Sequence, residues 1–196
     1  MALPQYGILA AEARVACGLE SDDDTDDTNV EYKLLAAYQA IQAYTGRDFY
    51  ISGDTSRKFR ANAVDGLYLW LDKDLCSLTS VANGDGSDTA VDTGSLVLIP
   101  ENDGPPYDCI WWPNGAGWQI AGDTEYITVT GKWGYSETLP AIIRGALLDL
   151  TGHYYNLKDS SATEVVRLPN GSEVIVRRGM PRDVVDKIKS YMIVFR

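Results

Sequence analysis

Apolar positions along this chain switch between two periods, and the switches mark out its elements. In residues 29–45, Leu34, Ala37, Tyr38, Ile41 and Tyr44 recur at intervals of three and four, the spacing of one helix face. Thr28-x-x-Glu31 just ahead has capping-box spacing, and Gly46 suits a helix exit, so a helix is predicted over 29–45. Residues 4–17 predict an earlier one, with Pro4 in the first turn, an Ala-rich middle and Gly18 as the stop. From Arg57 to Lys132 the period falls to two. RKFRA, GLYLWLD, CSLTSVA, SLVLIP, YDCIWW and EYITVTG read as short strands, with Leu67, Leu69 and Leu71 on one face of the second and Tyr68 and Trp70 on the other. NGDGSDT (83–89), PENDGPPYD (100–108) and PNGAGW (113–118) supply the turns between them.

After Pro140 the helical period returns. Ile142, Ile143, Ala146, Leu147, Leu150 and Tyr154 predict a helix to about residue 157. Two β-branched runs around PNGS predict a hairpin over 164–177. A last helix is predicted from Pro181 to the end, with Val184, Val185, Ile188, Tyr191, Met192 and Phe195 on one side and Asp186, Lys187 and Lys189 on the other. The predicted class is α+β: a small body of about four helices, an inserted antiparallel β region, and a β-hairpin before the C-terminal helix. The 196 residues are read as a single domain.

Charge adds a polarity to this picture. The net charge is -11, but residues 1–157 carry 9 basic and 23 acidic side chains, whereas residues 158–196 carry 8 and 5. The body is thus -14 and the tail +3. Such a balance argues against a protein whose main task is gripping phosphates, which requires Lys and Arg. The N-terminus lacks a basic n-region and carries Glu12 and Arg14 where an apolar core would continue, so no signal peptide is expected. No apolar run reaches the length of a membrane span.

Candidate chemistry is sparse. His153 is the single histidine, with Asp149 four residues before it on the same predicted helix; no G-x-S-x-G elbow accompanies it, and a structural role is expected. Cys17, Cys76 and Cys109 are scattered, without disulfide or zinc spacing. Asp22, Asp24 and Asp26 fit the first positions of an EF-hand loop. Asp27 stands where Gly is needed, however, and Lys33 where a bidentate Glu is needed. The run therefore reads as a solvated lead-in to a helix, with weak divalent binding left open. No metal site, cofactor or catalytic residue is expected.

Aromatic side chains are the strongest binding signal. Tyr107, Trp111, Trp112, Trp118 and Trp133 fall in the β-rich region. Neighbouring residues on a strand point to opposite faces, so one of Trp111 and Trp112 turns away from the core. An outward Trp serves as a sugar platform or a subunit anchor, or is covered by a loop of its own chain.

Several segments, in order, resemble the head-tail connector, or adaptor, proteins of long-tailed bacteriophages. LLAAYQAIQAYTGRDFY (34–50) resembles that family's helix ending in a "YTGR.F" phrase. LYLWLDKDLCSLTSV (67–81) is similar to its strand pair, ITVTGKWGYSETLPAIIRGALLDLTGHYY (127–155) to its strand and Pro-started helix, and PRDVVDKIKSYM (181–192) to its final helix. The resemblance implies a structural virion protein and not an enzyme. The resemblance further implies a protein made in the host cytoplasm, a monomer in isolation, that assembles as a ring, often a dodecamer, under the portal protein. On the same resemblance, the ring is expected to extend the DNA channel without binding DNA specifically and to present a surface to the stopper or tail-completion protein. On that basis the C-terminal segment is expected to dock on the portal through Val184, Val185, Ile188, Tyr191, Met192 and Phe195, with Lys187 and Lys189. A loop interface is expected around Tyr107, Trp111, Trp112 and Trp118. The 84–120 stretch is longer than the compact core of that family needs, and the 164–177 hairpin is a further elaboration. A competing expectation is an aromatic-lined glycan-binding module, which explains the tryptophans but not the helices or the basic tail.

Overall fold

The computed structural model describes residues 7–51, 53–115, 117–122, 125–157, 165–167, 173–175 and 179–193. Helices and strands segregate as the pattern predicts, and the class is α+β. The chain divides into two compact units: residues 1–46 with 139–196, and residues 47–138, inserted between them.

The first unit is helical. Helix α1 (Ala10–Ala16) is shorter than the predicted 4–17, of which residues 4–6 lie outside the described residues. Helix α2 (Asp27–Thr45) buries Val30, Leu34, Ala37, Tyr38, Ile41 and Thr45 and ends at Gly46, whose φ of 73° closes the last turn. Tyr44 is only half-buried, and Thr45 fills the last core position, its hydroxyl donating to the Ile41 carbonyl at 2.8 Å. The predicted Thr28/Glu31 capping box does not form, because α2 begins one residue earlier than Thr28. Tertiary contacts fix that start. Arg14 donates to both carboxylate oxygens of Asp27 at 2.7 Å, and the Tyr155 hydroxyl donates to Asp26 at 2.5 Å. The acidic run is therefore more than a solvated lead-in, since its last two members tie α2 to α1 and to the helix that follows the β region.

That helix, α3 (Ala141–Asn156), starts after Pro140 as predicted and buries Ile143, Ala146, Leu147, Leu150, Thr151, Gly152 and Tyr155. Ile142 is exposed and Tyr154 half-buried, so the buried face is rotated from the predicted one. The reason is that α3 packs against α1, α2 and the C-terminal helix, and Gly152 admits the end of α1 at close range. Strands β8 (Val165–Arg167) and β9 (Glu173–Ile175) pair antiparallel where the hairpin is predicted; its PNGS turn lies outside the described residues. Helix α4 covers only Arg182–Ile188, followed by a 3-10 turn over Lys189–Tyr191, so the predicted helix does not continue to the end of the described chain. The Ile193 N–H donates to the Thr45 carbonyl at 2.9 Å, which holds this tail against the end of α2.

The inserted unit is an antiparallel sheet, ordered β1-β7-β3-β6-β5. Its strands are β1 (Thr55–Phe59), β2 (Val64–Asp65), β3 (Tyr68–Ala82), β4 (Ala90–Val91), β5 (Val97–Ile99), β6 (Tyr107–Trp111) and β7 (Ile127–Trp133), with β2 and β4 also paired to β3. The two predicted strands GLYLWLD and CSLTSVA are one strand, β3. The charged residues between them do not break it because each carboxylate finds a cation: Asp72 takes Arg57 at 2.7 Å and Asp74 takes Arg47 at 2.5 Å. Register shifts between Trp70 and Leu75 and within 75–80 mark bulges, which let β3 pair with β6 at one end and β7 at the other. The core gathers Phe59, Leu69, Leu75, Val81, Val91, Ile110, Ile127, Val129 and Trp133. All five tryptophans of the chain lie in this unit.

Candidate interaction surfaces

The double tryptophan divides as strand alternation requires, and each half takes a different fate. Trp112 turns toward the core cluster, packs on Trp118 with ring centroids 5.2 Å apart, and is covered by its own loop. A side chain at Gly115 would sit within 1.9 Å of the Trp112 ring, so only glycine lets the loop lie there. The Trp118 indole N–H donates to the Leu67 carbonyl at 2.9 Å. Trp111 turns the other way. It lies opposite Tyr68 in the β3–β6 register and stacks on it at 5.9 Å with planes 12° apart. Tyr68 continues to Trp70, two residues along the same strand, at 6.5 Å. The outer face of the sheet thus carries a row, Trp70–Tyr68–Trp111, in which Trp70 is 43 % exposed and Tyr68 37 %. Asp65 stands opposite Tyr68 on the neighbouring β2, and the exposed Lys73 lies beyond Trp70.

Of the predicted loop interface, Trp111 belongs to this row, whereas Tyr107, Trp112 and Trp118 pack against the core. Tyr68 and Trp70 were not in that expected set. The signal was present in the alternation of GLYLWLD, which sends both rings to the side away from Leu69.

The C-terminal element also divides. Val184 and Ile188 are buried at 0 % within the helical unit, because α4 lies against α3. Lys187 Nζ pairs with the Asp149 carboxylate, which holds the ammonium in its charged form and raises its pKa. Val185 and Tyr191 are half-buried, while Met192 and Lys189 are exposed. Phe195 lies outside the described residues. The outward side of this element is therefore Val185, Lys189, Tyr191 and Met192.

A third surface was not foreseen. Between α1 and α3 runs a groove of about 420 Å³, lined by Ala11, Glu12, Val15, Ala16, Ser21 and Leu148. Val15 is 60 % exposed. At its side Arg144 of α3 pairs with Glu12, whose carboxylate also accepts the Leu9 N–H at 3.1 Å. Beyond Ser21 the chain enters the acidic run, with Asp22 and Asp24 exposed.

These ion pairs set a pH dependence. Arg144 and the Leu9 N–H hold the Glu12 carboxyl below its ordinary value of 4.5, and Arg14 holds Asp27 below its ordinary 3.8. A carboxyl lowered on folding stabilises the fold fully above its ordinary pKa, and the contribution is lost as pH falls through the lowered one. The helical signal of the chain is therefore expected to be level above pH 4.5 and to weaken at more acid pH. Arg14→Ala should flatten this acid limb in a circular-dichroism titration; an unchanged limb would show that the Asp27 pair contributes nothing.

His153 and Asp149, neighbours on one turn of α3, meet different surroundings. Asp149 is engaged by Lys187, and the buried His153 Nε2 has no hydrogen-bond partner. Burial pushes the Cys109 thiol up to about 12, and the Cys76 thiol is also raised by burial, the opposite of an activated nucleophile. Among the described residues, no group of three His, Cys, Asp or Glu side chains could hold a metal ion, and no helix is long and apolar enough to cross a membrane.

No protein-family model matches the chain, and no curated protein does. Solved structures do. A chain from the neck of an empty gene transfer agent (GTA) particle, computed with C6 symmetry, superposes with a TM-score of 0.67 at 20 % identity, covering 100 % of this chain and 94 % of that one. A chain from the virion of the native GTA particle gives 0.63 at 19 %, and one from the neck of the native particle computed with C12 symmetry gives 0.60 at 19 %, both with the same coverage. The likeness is one of fold, it runs the whole length of the chain, and it agrees with the head-tail connector resemblance carried by the sequence.

Proposed function

We propose that this chain is a structural neck protein of a phage-like particle, an adaptor that assembles as a ring under the portal, extends the DNA channel and offers a surface to the stopper or tail. The observation that carries the reading is the full-length likeness to neck chains, helical unit and inserted sheet together. A glycan-binding module accounts for the aromatic row but gives no reason for the rest of that likeness.

Charge fits a conduit. The inserted unit holds 14 acidic and 6 basic residues, and an acidic wall repels a sliding DNA backbone where Lys and Arg would bind it. Docking on the portal is assigned to the outward side of the C-terminal element, Val185, Lys189, Tyr191 and Met192, with the positive tail of the sequence meeting an acidic partner surface. Deleting residues 182–196 would not test this, because it removes Val184 and Ile188 from the core. The doubly substituted Lys189→Glu, Met192→Asp chain leaves the core intact. It is expected to fold, to be missing from purified particles and to fail to join isolated portal rings, and wild-type joining should weaken as salt rises. A variant that still enters particles at wild-type level would place docking elsewhere.

A further inference from the structure

Two Asn-Gly steps of the chain lie in the inserted unit, and the fold treats them in opposite ways; a third, Asn170–Gly171, falls outside the described residues. Asn83 is buried. Its N–H donates to the Thr89 carbonyl at 2.8 Å, and its Oδ1 accepts the Gln119 N–H at 2.8 Å. Gly84, which follows, is bridged to Ile120, and its carbonyl accepts the Ala121 N–H at 2.6 Å. Asn114, by contrast, is exposed in a turn. Among the described residues, neither its side chain nor the Gly115 N–H has a hydrogen-bond partner. We propose that Asn114 is a site of self-modification: its amide converts to aspartate and isoaspartate with water as the only reagent, and the isoaspartyl form frees Trp112 from the loop that covers it.

Asparagine is among the thermally labile residues, and the groups its conversion needs meet at this turn. Hydroxide removes the Gly115 N–H proton, and the nitrogen attacks Asn114 Cγ to close a five-membered succinimide. The Cγ–Nδ2 bond breaks as Nδ2 takes a proton from water and leaves as ammonia, which restores the hydroxide. Water then opens the ring. Breaking the bond from Cγ to the Gly115 nitrogen gives aspartate. Breaking the bond from the Asn114 carbonyl carbon to that nitrogen gives isoaspartate, whose main chain runs through Cβ and Cγ. Any other residue after the asparagine would crowd the attacking nitrogen with its side chain, and glycine does not. At Asn83 the same closure must first break the Gln119 hydrogen bond inside a buried turn.

The neighbouring ring gives the product its consequence. Gly115 lies directly on Trp112, since a β-carbon there would fall 1.9 Å from the indole. Isoaspartate lengthens the main chain by a methylene group between positions 114 and 115, and a displaced Gly115 no longer rests on that ring. Aspartate keeps the main-chain length and leaves the loop in place. Trp112 packs on Trp118, so lifting the loop lets water reach both indoles. The modification requires nothing from the neck reading, and it alters the surface on which Trp112 and Trp118 lie as the chain ages.

Ageing the full chain at mildly alkaline pH tests this, read by peptide mapping with electron-transfer fragmentation, which separates isoaspartate from aspartate at each asparagine. In the native chain Asn114 is expected to convert about tenfold or more faster than Asn83, the factor that the Gln119 hydrogen bond alone imposes. In urea the two should convert at one rate, because the fold makes the difference. Equal rates in the native chain, or an Asn114 amide that persists there while the urea-treated chain converts, would overturn the proposal. Tryptophan emission reads the loop. Aged wild-type chain is expected to shift to longer wavelength. Aged Asn114→Gln, whose longer side chain closes its ring far more slowly, should keep the native emission, and so should fresh Asn114→Asp. The position is exposed, so both variants should fold, as circular dichroism will verify. Isoaspartate at 114 with unchanged emission would show that the loop stays on Trp112 and sink that part of the proposal. An equal shift in Asn114→Asp would assign the effect to charge, and one in aged Asn114→Gln would assign it to another residue; either result also overturns it.

Discussion

Gly152→Ala is expected to destabilise the helical unit by about 2 kcal/mol, although alanine is the better helix former by about 1 kcal/mol. The reason is the approach of α1 to α3. A β-carbon at position 152 would lie 2.1 Å from the Ala16 carbonyl oxygen, which is backbone and cannot turn aside. To make room, the end of α1 must retreat, loosening Ala13 and Cys17 from the core. Gly145, on the same helix, has nothing within 4 Å of such a carbon, so Gly145→Ala should instead stabilise by about 1 kcal/mol. Urea unfolding followed at 222 nm compares the two, and a stabilised Gly152→Ala would mean that the helices are not closely packed there.

Arg47→Ala should have the largest effect in the inserted unit, about 3 kcal/mol. Asp74 is 8 % exposed, and one of its carboxylate oxygens has no hydrogen-bond partner even with Arg47 present. Removing the guanidinium leaves a buried charge without its cation and also removes the stacking of Arg47 on the Tyr135 ring at 5.4 Å. The converse change, Asp74→Ala, leaves an arginine that is 21 % exposed and able to turn its head to water, so it should cost clearly less. Tryptophan fluorescence isolates the measurement, because every tryptophan is in this unit. Equal losses from the two variants would show that water reaches Asp74.

The pair also ties the two ends of the inserted unit together. Arg47 begins the unit, and Tyr135 lies close to its end. Asp74 on β3 binds the Arg47 side chain, while its carbonyl accepts the Gly134 N–H at 2.8 Å and the Asp48 carbonyl accepts the Tyr135 N–H at 2.8 Å. Both ends of the inserted unit thus meet beside Asp74 of β3. In the sequence this device looks like a break, since a charge cluster such as the DKD of GLYLWLDKDL usually ends a strand. Only the distant cations show why β3 continues.

Other differences have the same origin. The α2 stripe was legible because Leu34, Ala37, Tyr38 and Ile41 face one side whatever packs there. Its start was not, because Asp26 and Asp27 answer to Tyr155 and Arg14, partners 129 and 13 residues away. Alternation fixed that Trp111 and Trp112 part company, yet not which of them would be covered. That depended on Gly115 letting a loop fold over Trp112. In the C-terminal element, Val184 and Val185 read alike as apolar positions, and the packing of α3 decided that the first is core and the second only half-buried.

By itself the sequence determined which stretches are helix and which are strand, and that a β region interrupts a helical body. These follow from local periods and residue chemistry, which neighbouring side chains enforce over a few residues. Tertiary structure decided where α2 begins, that β3 is one strand, that Val184 and Ile188 belong to the core, and that Trp70, Tyr68 and Trp111 form one row. Each of those depends on a group far away in the chain, a guanidinium, a carbonyl or a ring, whose approach no local period can encode.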